Sequence, residues 1–182
     1  MGYSVLNRIN EGVVTYEQAA AHLRVWDEED RPYIESLIDA AISSAESYMK
    51  RFIGETWVSF TLSSFSQRLP FPDPSEVYDV LYLDNENNLR AIPVTDFFLD
   101  RLRNRIIYTG SVSQNEMQSI EVVATFGWGA NKVPPSVKHA ILMLVATLYE
   151  MREDATVGQG VTVTKVPVTH QYLLNPYRHY SV

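Results

Sequence analysis

Between Pro32 and Ile53 the apolar side chains fall at Ile34, Leu37, Ile38, Ala41, Ile42, Ala45, Tyr48, Met49, Phe52 and Ile53, in alternating steps of three and one. That spacing draws one broad apolar stripe along a helix. Glu35, Asp39, Ser43, Glu46 and Lys50 fall on the opposite face, and Gly54 supplies a stop. A shorter helix is predicted before it, in VVTYEQAAAHLRV (13–25). Thr15 and Gln18 have the spacing of a capping box, in which the hydroxyl accepts from the Gln18 amide and the Gln18 side chain returns to Thr15. The acidic turn WDEEDRP (26–32) joins the two, with Asp30 as N-cap of the second helix and Pro32 in its first turn. Far along the chain, Val137, Ile141, Leu144, Val145, Leu148 and Tyr149 return to helical spacing and predict a third helix over 135–153.

The period changes over 56–126. TWVSFTLSSF, VYDVLYLD, RIIYTG and SIEVVATFG are short β-branched and aromatic runs, separated by clusters of Pro, Asn, Asp and Gly. LPFPDPSE (69–76) reads as a loop because of its prolines. DNENN (84–88) reads as a hairpin turn, since Asn and Asp tolerate the left-handed conformation. The block predicts a small, mostly antiparallel sheet of about four to six strands. After the third helix Gly158 and Gly160 loosen the chain, VTVTKVPV (161–168) has the pattern of one more strand, and HQYLLNPYRHYSV (170–182) follows. The expected fold is α+β: a mainly helical packing core of three helices, with a small antiparallel β-sheet inserted between the second and third. Residues 1–182 read as a single domain, with N-terminal helices in 1–55, a β-rich insertion in 56–130, a C-terminal helix in 133–155 and an extended tail in 156–182.

Composition narrows the function. With 46% hydrophobic and 20% charged residues, the chain can bury a core. Its net charge is −7, divided as −5 over 1–60, −3 over 61–133 and +1 over 134–182. A protein that grips nucleic acid through its phosphates carries a basic face, and no segment here supplies one. No run approaches the roughly 18 apolar residues of a membrane span. The start, MGYSVLNRINEGVV, lacks the basic and apolar regions of a signal peptide, so a soluble protein made in a cytoplasm is expected. The absence of cysteine excludes disulfides, thiolate metal sites and cysteine nucleophiles together.

Candidate chemistry is sparse. His22, His139, His170 and His179 show neither an i, i+4 pair nor a His-Glu-x-x-His spacing, so a zinc site has no support. His22 and His139 lie on predicted helices and read as structural or solvated. Ser64 and Ser136 lack the Gly-x-Ser-x-Gly context of an activated nucleophile. The acidic run Asp27–Asp30 lacks the alternating ligands and central glycine of a calcium loop, and reads as a solvated turn whose charge favours the helix after it. Gly127-Trp-Gly is not followed by Gly-Lys-Ser/Thr and reads as a tight turn rather than a phosphate loop. No nucleophile, base and orienting group occur as a set, so neither enzymatic activity nor a cofactor nor a bound metal is expected.

The tail is unusual for a terminus, where polar and frayed residues are the norm. Tyr172, Leu173, Leu174, Pro176, Tyr177 and Arg178 dock either on their own domain or on another subunit or partner, where Tyr and Arg are typical anchors. Under the second reading, the domain melts nearly unchanged when the chain is cut after Thr169.

The layout resembles the head–tail connector (adaptor, or head-completion) proteins of tailed bacteriophages and their prophages. Three pieces carry the resemblance: VT-x-E-x-A-x-x-HLRV at Val14–Val25, VP-x-x-x-K-x-A-x-L-x-L-V-A-x-x-Y-E-x-R at Val133–Arg152, and LL-x-PYR at Leu173–Arg178. The sheet region, 57–126, matches in style and length only. The resemblance implies a structural, non-enzymatic virion protein, made in the host cytoplasm during assembly, without a cofactor. It implies an oligomeric ring of about a dozen copies beneath the portal, joining head to tail and continuing the DNA channel without sequence-specific DNA binding. The isolated protein is left open as a monomer. Its implied partners are the portal protein and a tail-side completion protein, with the terminal segment (Tyr172, Leu173, Leu174, Pro176, Tyr177, Arg178) touching the portal or a neighbouring subunit. The alternatives are a tail-side completion protein, or a small-molecule-binding or enzymatic α+β domain with a concave pocket.

Overall fold

A computed structural model describes residues 2–113, 117–151 and 169–180. The strand expected at 161–168 and the glycines 158 and 160 lie outside the described residues. The chain, expected to form a single domain, gathers into two compact units: Met1–Ile9 with Gly54–Gly129, and Asn10–Ile53 with Ala130–Val182. The division follows the chemistry of the elements, because helices bury stripes against helices while a sheet buries a face.

The helical unit contains α1 (Tyr16–Leu23), α2 (Arg31–Met49), α3 (Pro135–Glu150) and α4 (Thr169–Leu174). The fold is α+β as expected, with four helices rather than three among the described residues. The capping box at α1 is formed: the Gln18 N–H donates to Thr15 Oγ1 at 3.3 Å, and the Thr15 N–H donates to Gln18 Oε1 at 3.1 Å. Asp30 stands at the N-cap of α2, but its carboxylate makes no capping bond. It accepts instead from the Tyr149 hydroxyl at 2.7 Å. Ile34, Ile38, Ala41, Ile42, Ala45 and Met49 form the buried stripe of α2, and Val137, Ala140, Ile141 and Val145 that of α3. Leu37, Leu144 and Leu148, which the periodicity places in the same stripes, are only half-buried.

Two features at the end of α2 differ from the sequence pattern. The helix stops at Met49, before Gly54, because Lys50 adopts the left-handed conformation (φ 54°) and its N–H closes on the Glu46 carbonyl. Glu46, expected on the solvent face, is buried, and its Oε1 accepts the Ile53 N–H at 2.7 Å. Once the helix ends early, Phe52 and Ile53 enter the core in irregular backbone, and a buried irregular segment needs side-chain acceptors for its N–H groups. Glu46→Ala is expected to lower stability by about 1–3 kcal/mol, the cost of an orphaned buried donor. Glu46→Gln keeps an acceptor oxygen and should lose less. Urea melts of the three proteins make the comparison, and equal losses would show that charge rather than acceptance matters there.

The β-rich unit holds β1 (Tyr3–Ile9), β2 (Glu55–Leu62), β3 (Gln67–Arg68), β4 (Pro74–Asp84), β5 (Leu89–Ala91), β6 (Phe97–Asp100), β7 (Arg105–Tyr108) and β8 (Met117–Phe126). They form two antiparallel sheets, one ordered β1-β2-β8-β4-β5 and one ordered β3-β7-β6. The sheet is therefore not simply an insertion between helices, since its first strand precedes α1. LPFPDPSE is likewise not all loop: Pro74 opens β4, a first-residue position where a strand tolerates proline. Val58, Phe60, Leu62, Val80, Tyr82, Ile120, Val122, Ala124 and Phe126 build one buried face, with the Phe60 and Phe126 rings 5.8 Å apart. Beside the second sheet the rings of Phe65, Phe97 and Tyr108 pack on one another, and Ile106 of β7 is fully buried. At the C-terminal end of β8, Gly127 (φ 100°) and Gly129 (φ 68°) make the expected tight turn.

The β4–β5 hairpin forms as the Asn-rich stretch predicts, with Asn87 at φ 63°. Asp84 organises it, accepting from the Glu86 and Asn88 N–H groups, each at 2.9 Å, and from Arg90 Nε at 2.7 Å. The Arg90 guanidinium first, then the Asn88 amide, hold the Asp84 carboxyl down at about 2, against an ordinary 3.8. A depressed carboxylate contributes its stability above the unfolded value and loses it as the pH falls through the folded one. The hairpin is therefore expected to loosen between about pH 4 and pH 2. In Arg90→Ala the Asp84 titration, followed by carboxyl NMR, should move up toward the ordinary value. An unmoved midpoint would assign the effect to the backbone amides alone.

Candidate functional site

The terminal segment, which the sequence marks as the candidate contact surface, is helical rather than extended over Thr169–Leu174, followed by a 3-10 turn over Asn175–Tyr177. It packs within the helical unit. Leu174 is fully buried. Asn175 Oδ1 accepts the Tyr48 hydroxyl at 2.5 Å, and the Ser136 hydroxyl donates to Tyr177 Oη at 3.1 Å. The His179 N–H donates to the Met49 carbonyl at 2.8 Å, so the segment satisfies an acceptor that the end of α2 leaves open. The Arg178 guanidinium lies 5.2 Å from the ring centres of both Tyr48 and Tyr180, within cation–π range. Tyr172 points the other way and is 72% exposed. Pro176 is exposed too, while Leu173, Tyr177 and Arg178 are half-buried.

The remaining candidates separate. His22 and His139 meet edge-to-face with ring centres 6.0 Å apart. Among the described residues no group of three or more His, Asp or Glu could hold a metal ion. Asp27 caps the 3-10 turn Glu28–Asp30 by accepting the Glu29 N–H at 3.0 Å, the local role expected of the acidic run. Ser136 is engaged with Tyr177, and the Ser64 hydroxyl donates to the Ser66 carbonyl. The β-rich unit carries a shallow groove of about 380 Å³ along β4, bordered by Glu76, Val77, Val94, Phe98 and Arg101. Periodicity did not point to it, because strands distant in sequence build it.

No family model matches the chain, and no curated protein matches it in sequence. Solved structures do match. A chain in the neck of an empty GTA particle, computed with C6 symmetry, superposes with a TM-score of 0.75 at 19% identity, covering 100% of this chain and 97% of that one. A chain in the virion of the native gene transfer agent (GTA) particle matches with the same TM-score, identity and coverage. In the neck of the native GTA particle, computed with C12 symmetry, a chain matches with a TM-score of 0.69 at 19% identity and the same coverage.

The chain has the fold of a particle-neck chain.

That fold includes both units, whereas the three sequence motifs that resemble head–tail connector proteins all lie in the helical one. Val14–Val25 spans α1 with its caps, Val133–Arg152 contains α3, and Leu173–Arg178 lies in the terminal segment.

Proposed function

We propose that this chain is a structural, non-enzymatic subunit of the neck of a tailed phage or phage-like particle, forming an adaptor ring beneath the portal that joins head to tail and continues the DNA channel. The observation that carries this reading is the fold shared over the whole length of both chains with the particle-neck structures. Their C6 and C12 symmetry supports a cyclic ring. The acidic balance of the chain suits a channel, because a like-charged lining avoids sticky contacts with passing phosphates. In this reading the terminal segment contacts the portal or a neighbouring copy. Tyr172 and Pro176 face outward for that contact, Leu173, Tyr177 and Arg178 flank it, and Leu174 anchors the segment from below. Modest contacts of this kind become a durable joint once repeated around a ring.

Electron microscopy and mass measurement of the purified protein, alone and mixed with portal rings of its particle, test the proposal. A ring with cyclic symmetry on the portal is expected. Binding to tail tubes in place of portals would transfer the protein to the tail side, and a protein that stays monomeric with both would end the neck reading.

A further inference from the structure

The two most exposed large apolar side chains among the described residues are Leu102, at 100%, and Trp26, at 85%. Single apolar side chains on a surface are ordinary, but these two stand in the most strongly charged stretches of the chain, and the signs are opposite. Trp26 directly precedes DEED (27–30), the longest run of acidic residues in the sequence. Leu102 lies within RLRNR (101–105), where three of the chain's 15 Lys and Arg residues gather.

Each stretch is shaped by its own hydrogen bonds. In the turn between β6 and β7, Asp100 Oδ1 accepts the Arg103 N–H at 3.1 Å. Asn104 Nδ2 donates to the Leu69 carbonyl at 3.2 Å, and the Leu69 N–H returns to the Asn104 carbonyl at 2.9 Å. Arg101 ties the base of the turn to the Pro74 and Ser75 carbonyls. Arg103 pairs with Asp100 but its side chain stays largely exposed, and Arg105 is exposed too. Leu102 is thus presented at the tip with arginines on either side. In the helical unit, Arg24 ends α1 in the left-handed conformation (φ 59°), and the Val25 N–H donates to the Ala20 carbonyl at 3.0 Å. Asp27 then caps the 3-10 turn. Trp26 has fixed backbone on both sides and its indole in water. Asp27, Glu28 and Glu29 are exposed after it. Of the two cations flanking the run, Arg31 is already taken up by Glu35 at 2.9 Å, so the exposed carboxylates outnumber Arg24.

We propose that the β6–β7 turn of one copy docks on the α1–α2 turn of the next, with Leu102 packed beside the Trp26 indole and Arg103 and Arg105 meeting the carboxylates of Glu28 and Glu29. This rests on the ring reading. A cyclic ring needs two different, mutually complementary surfaces on every subunit. An apolar centre with a basic rim and an apolar centre with an acidic rim make such a pair. A guanidinium also stacks on an indole, and Trp and Arg are the residue types that dominate interface energetics. Both turns are preformed, so docking orders little that was free. A nucleic-acid backbone satisfies the arginines but leaves the acidic Trp26 turn unmatched. The second copy satisfies both.

Charge reversal tests this in the full chain, with rings on the portal as the readout. Arg103→Glu with Arg105→Glu, and separately Glu28→Arg with Glu29→Arg, should each abolish rings while the chain still melts cooperatively. The one ion pair given up between Arg103 and Asp100 is exposed on the arginine side and worth little. All four changes in one chain should restore rings, which neither a lost portal contact nor a folding defect explains. Trp26→Ala should lose rings with an unchanged melt. The cysteine-free sequence allows a covalent check that keeps Trp26 and Leu102 in place. Glu28→Cys with Arg103→Cys, treated with a short bis-maleimide, should give a ladder of multimers on a denaturing gel, while each single variant stays monomeric. Dimers from Arg103→Cys alone would mean that two tips meet, which overturns the proposal. Rings that survive both reversals and Trp26→Ala would overturn this contact and leave the neck reading standing. Retention of duplex DNA by the unchanged chain, lost on reversing the arginines while rings persist, would make the tip a phosphate contact instead. A chain that forms no ring on portals at all would remove both readings.

Discussion

Ile141→Asp is expected to abolish cooperative unfolding of the helical unit, whereas Leu144→Asp, three residues further along the same helix, should leave a folded protein with a lower melting point. Ile141 is fully buried. The substitution forfeits about 1.5–3 kcal/mol of apolar burial and leaves a carboxylate without water or a partner, which costs several kcal/mol more unless it takes up a proton. Losses above about 4–5 kcal/mol are exceptional for single changes and approach the whole stability of a typical domain, roughly 5–15 kcal/mol. Leu144 is half-buried, so an aspartate there can turn its charge toward water. Far-ultraviolet circular dichroism during heating separates the two outcomes. Equal collapse would show that Leu144 is as enclosed as Ile141. An unchanged Ile141→Asp melt would mean that the buried face of α3 has been misassigned.

Truncation after Thr169 should destabilise the helical unit, the reverse of what a freely projecting tail predicts. The cut removes the buried Leu174, the Asn175 acceptor of Tyr48, the Tyr177 acceptor of Ser136 and the His179 donor to Met49. A buried Leu→Ala change alone costs about 2–5 kcal/mol, so Leu174→Ala in the full chain should show a loss of the same order. Tyr172→Ala is the contrasting change. Its side chain is exposed, and stability should move by no more than about 0.5 kcal/mol. If the segment also meets the portal, Tyr172→Ala should weaken co-sedimentation with portal rings while the melt stays put. A truncated protein that melts like the full chain would show that the terminal segment adds nothing to the unit on which it lies.

The two predictions divide the terminal segment by role. Leu174 faces inward and serves folding, while Tyr172 faces outward, where the proposed contact would lie. From the sequence these residues form one cluster, because a short helix of six residues gives too few turns for periodicity to separate its faces. The sequence hides β1 for a related reason. YSVLNRI alternates imperfectly, since a bulge lies between Val5 and Asn7, and a bulge shifts the two-residue period by one.

The features legible in the sequence are local ones. The capping box at Thr15 and Gln18, the stripe from Ile34 to Met49, the Asn-rich hairpin and the change of period at residue 56 all depend on neighbours within a few positions. Three motifs in order were also enough to indicate the connector resemblance. The tertiary structure decided what depends on distant partners. It selected Ile141 over Leu144 as a core position and buried Glu46 beneath Ile53. It brought Pro74 into a strand and drew the N-terminal residues into the sheet beside β2. It also folded the terminal segment against α2 and α3. Burial depends on which surfaces a helix or strand meets, and two positions with the same place in a repeat can meet different surfaces. Periodicity defines a face, and only packing sets how far along that face the core extends.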